Sequence, residues 1–221
     1  MSAANSQQID PLLSATSLYC ERDDRILFDN LDFTLNAGEV LQVGGSNGSG
    51  KTTLLRIVCG FNDAFEGKLY WRLKPLEHQW EDFYASVIYM GHRVGINKIL
   101  SPMENLRWAC SLRSQVTDTA IQNALSTLGL NGYEDSPCHT LSAGQQQRVS
   151  LARLLISPAD LWILDEPFTT LDVHGVADLE LMLANHINRG GTVLVTTHHR
   201  LQVDGNLRHL NLDNLQTKRQ S

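Results

Sequence analysis

The stretch GGSNGSGKTT, residues 44–53, constrains this chain more than any other. It follows the apolar run EVLQV and precedes the helical pattern of KTTLLRIVCG, which Gly60 stops, so it joins a strand to a helix. Gly45, Gly50, Lys51 and Thr52 match the spacing G-x-x-x-x-G-K-[ST] without a gap. In such a loop the spacers Ser46, Asn47, Gly48 and Ser49 turn their backbone around a phosphate, and Thr53 follows inside the first helical turn. Lys51 supplies a point charge for the β and γ groups, and the Thr52 hydroxyl is a ligand for Mg²⁺. A glycine-rich hairpin or linker is the bland alternative, and the strand–helix context disfavours it.

Phosphate chemistry needs a metal partner and a means of activating water. DLWILDEP, residues 160–167, provides candidates for both. Its apolar run reads as a buried strand ending in Asp165 and Glu166, and ligands of α/β folds bind beyond the carboxyl ends of strands. Asp165 is placed to hold a Mg²⁺ shell and Glu166 to polarise the attacking water. A third stretch, TLSAGQQQRVSLARLL, raises a separate question. Ser142 and Gln145 fit a capping box at a helix start, which is a sufficient local explanation. A helix N-terminus with small residues is also an anion site.

Among the 221 residues, 42% are hydrophobic and 19% charged, as in ordinary globular proteins, and the length suffices for a sizeable core. A net charge of −6 argues against a general nucleic-acid binder and against broad adhesion to anionic lipid. Cys20, Cys59, Cys110 and Cys138 are widely spaced without a CxxC, so reduced thiols in a cytoplasmic protein are expected. The polar N-terminus lacks the apolar core of a signal peptide, and no run approaches the length of a membrane span.

Read along the chain, LLSATSLY and ILFDNLDFTL are strand candidates around a charged turn at ERDD, with KLYWRL and ASVIYM as further strands. Residues 102–157 hold three helical patterns broken by GLNGYEDSP. Val173, Val176, Ala177, Leu183 and Ile187 lie at helical spacing over 173–188, TVLVTTHH reads as a buried strand, and the polar last ten residues as frayed. Strand–helix alternation predicts a parallel sheet with a helical insertion at roughly 95–155.

Taken in order, GGSNGSGKTT, LSAGQQQR, LWILDEP, TTLD and TTHH resemble the motifs of an ATP-binding-cassette nucleotide-binding domain, over nearly the whole chain. The resemblance implies one α/β domain spanning 1–221. It would have a P-loop (RecA-like) ATPase core, an N-terminal antiparallel β subdomain and an inserted α-helical subdomain. It implies ATP hydrolysis with ATP and Mg²⁺, Glu166 acting on water and His198 contacting the γ-phosphate. Leu171–Asp172 resembles the family's D-loop. Ser142, Ala143, Gly144 and Gln145 resemble its signature, which faces the γ-phosphate held by a second copy in a head-to-tail dimer. The anion at that helix then belongs to another subunit, and the capping box remains its local cause.

Two positions depart from the wider pattern. Gly91–His92 stands where the family has a glutamine that senses Mg²⁺ and the transport subunit. Arg22 stands where an aromatic stacks on adenine, with Tyr19 a second candidate. Both departures resemble the ATP-binding subunits of cytochrome c maturation heme exporters. That likeness implies docking on integral membrane subunits at the cytoplasmic face of the bacterial inner membrane. Heme would be handled only through those partners, and no nucleic acid would be bound. The ATPase of another small exporter and a soluble nucleotide-driven member of the family are the alternatives. A heme-ligand role for the Cys138–His139 pair is disfavoured by its place beside the signature.

Overall fold

The computed structural model describes residues 10–111, 116–202 and 206–215. Two long strands, β1 (Pro11–Arg22) and β2 (Arg25–Asn36), pair antiparallel and put Leu13, Leu18, Phe28, Leu31 and Leu35 into the core. Bulges interrupt the pairing between Ala15 and Leu18, which is why the apolar alternation is only rough. β3 (Glu39–Gly44) is buried along its length and leads through the glycine loop into α1 (Lys51–Val58). β4 (Glu66–Trp71) and the short β5 (Lys74–Pro75) complete the antiparallel sheet, in the order β2-β1-β4-β5.

The chain then enters α2 (Trp80–Ser86), β6 (Val87–Met90) and the helical insertion of α3 (Pro102–Ser111), α4 (Asp118–Thr127) and α5 (Ala143–Ile156). β7 (Leu161–Asp165), α6 (Val173–Asn188), β8 (Thr192–Thr196) and β9 (Asn206–Asn211) follow. The second sheet is parallel, ordered β6-β7-β8-β3-β9. Its central strands are covered on both faces and read as continuous apolar runs for that reason. One core lies between the two sheets around α1, and the other packs the opposite face of the parallel sheet against α3–α6. The expected α/β class, with an antiparallel sheet beside a parallel one and helices inserted between β6 and β7, is what the molecule adopts.

Four local expectations need correction. Ala85 and Ser86 end α2 and do not belong to a strand. Phe83 anchors that helix edge-on to Trp71, with centroids 5.1 Å apart, and extended backbone begins only at Val87. KLYWRL stops at Trp71 because Arg72 and Leu73 both take positive φ in the turn to β5. In α6 the buried face is Gly175, Leu179, Met182 and Leu183, whereas Val173 is 84% exposed in the first turn, past the edge of the core. The tail is ordered as far as it is described. β9 pairs in register with β3, and Leu212 in the turn after it is fully buried. Residues 216–221 of the expected frayed end, and the first nine residues, lie outside the described ones.

All four cysteines are buried and none is in a disulfide, with the Cys59 thiol pushed far above its usual range by burial. Among the described residues no helix is long and apolar enough to cross a membrane.

Candidate nucleotide site

The glycine loop closes only because two of its positions lack side chains. Gly45 has φ 141°, and a Cβ there would collide with the Ser49 Oγ. Gly50 has φ 101°, and its Cβ would sit 3.0 Å from that of Leu27. Gly50 also caps α1 and, having no side chain, takes up none of the amides of the helix's first turn. Those donors are the orphan groups that an anion satisfies. Lys51 Nζ folds back on the loop, donating to the carbonyls of Gly45 (2.8 Å) and Ser46 (3.2 Å).

Parallel pairing of β7 with β8 sets Asp165 beside Thr196 at the carboxyl edge of the sheet. The Asp165 carboxylate is buried, accepting from Thr196 Oγ1 at 2.7 Å and from Thr52 Oγ1 at 2.9 and 3.1 Å. Carboxylate and hydroxyl oxygens side by side, with no cluster of three metal-ligating side chains among the described residues, suit a hard cation that takes its remaining ligands from phosphate and water. Glu166 follows at φ 52°, its amide donating to the Thr196 carbonyl at 3.0 Å. Its Oε1 lies 3.6 Å from His198 Nε2. Tyr89 on β6 is pushed up to about 12, first by burial and then by the Asp165 charge, so its hydroxyl stays neutral beside the site.

These groups open on a cavity of about 650 Å³. It is lined by Asn47, Gly48, Gly50, Lys51, Thr52 and Thr53 of the loop and first helical turn, and by His92, Asp165, Glu166 and His198. Arg22 lines the cavity; Tyr19 does not, and its hydroxyl bonds Glu21. Gly45, Ser46 and Ser49 do not line it either. Asp23, Arg25, Leu27 and Thr169 do, and the sequence motifs assigned none of them to the site. The charged turn ERDDR carried the signal for Arg25.

Ser142–Gln145 lie away from this cavity. The capping box is present: Gln145 N donates to Ser142 Oγ at 3.2 Å, and Ser142 N to Gln145 Oε1 at 2.9 Å. Ser142 and Ala143 are exposed, so the start of α5 faces solvent. The helix is tied to the exit of β7. Gln147 Nε2 donates to the Pro167 carbonyl, and Arg148 pairs with Asp172 at 2.6 Å.

The ABC transporter family profile matches residues 28–169. The chain belongs to the ABC transporter family. It is accordingly a nucleotide-binding, ABC-type ATPase chain. It is 50% identical over 202 residues to the cytochrome c biogenesis ATP-binding export protein CcmA of Hahella chejuensis, covering 91% of this chain and 96% of that one. The protein of the same name from Methylococcus capsulatus is 48% identical over 204 residues, covering 92% and 99%. A putative ABC transporter ATP-binding protein from Pyrococcus furiosus superposes with a TM-score of 0.80 at 21% identity, covering 93% of this chain and 99% of that one, a likeness of fold.

Proposed function

We propose that this chain, as one nucleotide-binding domain, is the ATP-hydrolysing subunit of an export complex that serves cytochrome c biogenesis, with heme as the cargo of the whole complex. The observation that carries this reading is identity near 50% over almost the full chain to proteins of that name, which favours it over another small exporter or a soluble ABC protein.

In the proposed cycle the uncapped start of α1 and Lys51 receive the ATP phosphates, Lys51 exchanging the Gly45 and Ser46 carbonyls for phosphate oxygens. Thr52 and Asp165 hold Mg²⁺, which when bound neutralises charge on the phosphates. Glu166 orients water for attack on the γ-phosphorus and takes its proton; the bond to ADP breaks and inorganic phosphate leaves. His198 donates to a γ-phosphate oxygen. Arg22 covers adenine by guanidinium stacking. Ser142, Ala143, Gly144 and Gln145 present a solvent-facing helix start to the γ-phosphate of a second copy, so each dimer holds two sites. In this reading the chain acts through integral membrane subunits on the cytoplasmic side of the inner membrane, and heme reaches it only through them. His92, lining the cavity at the start of the loop to α3, couples the site to those subunits.

Deletion of the coding sequence is expected to abolish c-type cytochromes, detected by heme staining, with rescue by wild type and none by Glu166→Gln. His92→Ala is expected to lower partner-stimulated ATPase more than basal ATPase, and His92→Gln to do so less. Cytochromes of normal abundance in the deletion strain would overturn the proposal.

A further inference from the structure

Ser46 belongs to the phosphate loop yet does not line the nucleotide cavity. Its amide and hydroxyl face the other way. The Ser46 amide donates to both carboxylate oxygens of Asp213, at 3.0 and 2.9 Å, and its hydroxyl donates to Oδ1 at 2.9 Å. Asp213 is far off in sequence, in the turn after β9, and two features fix it there. β9 pairs along β3 as far as Gly44↔Asn211, and Leu212 is fully buried. The Asp213 amide also donates to Asn211 Oδ1 at 2.9 Å, closing the turn. The carboxyl is held below its usual range first by the Ser46 amide, then by the Ser46 hydroxyl, with Lys51 and Arg25 adding their charges. Ser46 is thus gripped on two sides, its carbonyl by Lys51 and its amide by Asp213.

In the proposed cycle ATP draws Lys51 away, which would remove the Lys51 contact and leave that of Asp213. We propose that Asp213 is a positioning residue for nucleotide binding, an anchor behind the phosphate loop that keeps its first turn in the phosphate-accepting shape while Lys51 changes partners. It touches no reacting atom and acts through Ser46. The proposal rests on the nucleotide site described above, and Lys51→Ala serves as the control for that site.

The test is ATP hydrolysis by the purified full chain across a range of ATP concentrations, together with binding of a fluorescent ATP analogue. Asp213→Ala is expected to raise KM and the analogue's Kd roughly three- to tenfold, the factor that one or two solvent-exposed hydrogen bonds carry, with kcat within twofold. Asp213→Asn keeps an acceptor oxygen for the Ser46 amide, and is expected to recover at least half of the lost affinity on a logarithmic scale. Unchanged KM and Kd in Asp213→Ala overturn the proposal. So does tighter binding in both variants, which would make the carboxylate a repulsive charge. A fall in kcat at constant KM also overturns it. If wild type binds the analogue no better than Lys51→Ala does, the site itself is misplaced, an outcome separate from failure of Asp213 alone.

Discussion

Replacing Glu166 by alanine and by glycine separates the chemistry of this residue from the backbone it sits on. Glu166 holds φ 52°, a left-handed conformation that a residue with a Cβ adopts at a cost of about 1–2 kcal/mol. Hydrogen bonding fixes that conformation, since the Glu166 amide reaches the Thr196 carbonyl at 3.0 Å and Thr169 N returns to the Glu166 carbonyl at 3.2 Å. Both substitutions remove the same carboxylate and the same contact to His198, a pair whose histidine is 62% exposed and whose contribution is small. They therefore differ only in the Cβ and in the freedom of the unfolded chain. Glycine escapes the 1–2 kcal/mol strain that alanine retains, and loses about 0.4–1 kcal/mol to unfolded-state entropy. The balance favours glycine by about 0.5–1 kcal/mol, or roughly 1–4 °C in a chain of this length. That reverses the usual order of the two residues. ATPase activity, followed as phosphate release, is expected to fall by about 10²–10⁴ in both variants, the contribution of a positioned general base. Thermal melting of the alanine variant above the glycine variant refutes the strain argument. Hydrolysis within tenfold of wild type in either one refutes the role of the carboxylate.

Two further outcomes follow from the geometry. With ATP and Glu166→Gln, sedimentation is expected to give a dimer, because nucleotide held between two copies drives their association. Ser142→Arg is expected to abolish that dimer while leaving analogue binding nearly intact. Ser142→Asp keeps a helix-capping side chain and still sets a negative charge toward phosphate, so it is expected to do the same. A dimer in either variant refutes the assignment. His186 stacks on Trp162 with centroids 3.8 Å apart, and burial holds its pKa below the ordinary histidine value. The unfolded chain then takes up a proton at higher pH than the folded one, so stability is full above about 6.5 and declines as pH falls through that value toward the folded pKa. Melting temperatures from pH 8 to 5 are expected to drop less in His186→Phe than in wild type; parallel curves would refute the titration.

What could be read from the sequence, and what could not, divides along a physical line. The loop at 45–53 is legible because its requirement is for missing side chains at Gly45 and Gly50, and a missing side chain is visible in the sequence. The Asp165–Glu166 pair is legible because a run buried on both faces ends abruptly in two carboxylates. The capping box at Ser142 and Gln145 is a contact over three residues, and such local contacts need no tertiary information. By contrast, β9 forms through backbone pairing at the edge of the sheet, with most of its side chains exposed or half-buried, so no apolar pattern announces it. Asp213 is invisible for the same reason. Its partner is 167 residues away, and the amide part of the contact could come from any residue type at 46 other than proline. Ser46 shows the limit most sharply. The motif places it in a phosphate loop, and the spacing rule treats its amide as one of the phosphate donors. The direction of that amide is fixed by the strand that runs beside β3 and the turn that follows it, which the motif does not contain. A motif therefore identifies which backbone meets the ligand, while the packing behind it decides which amides are free to do so.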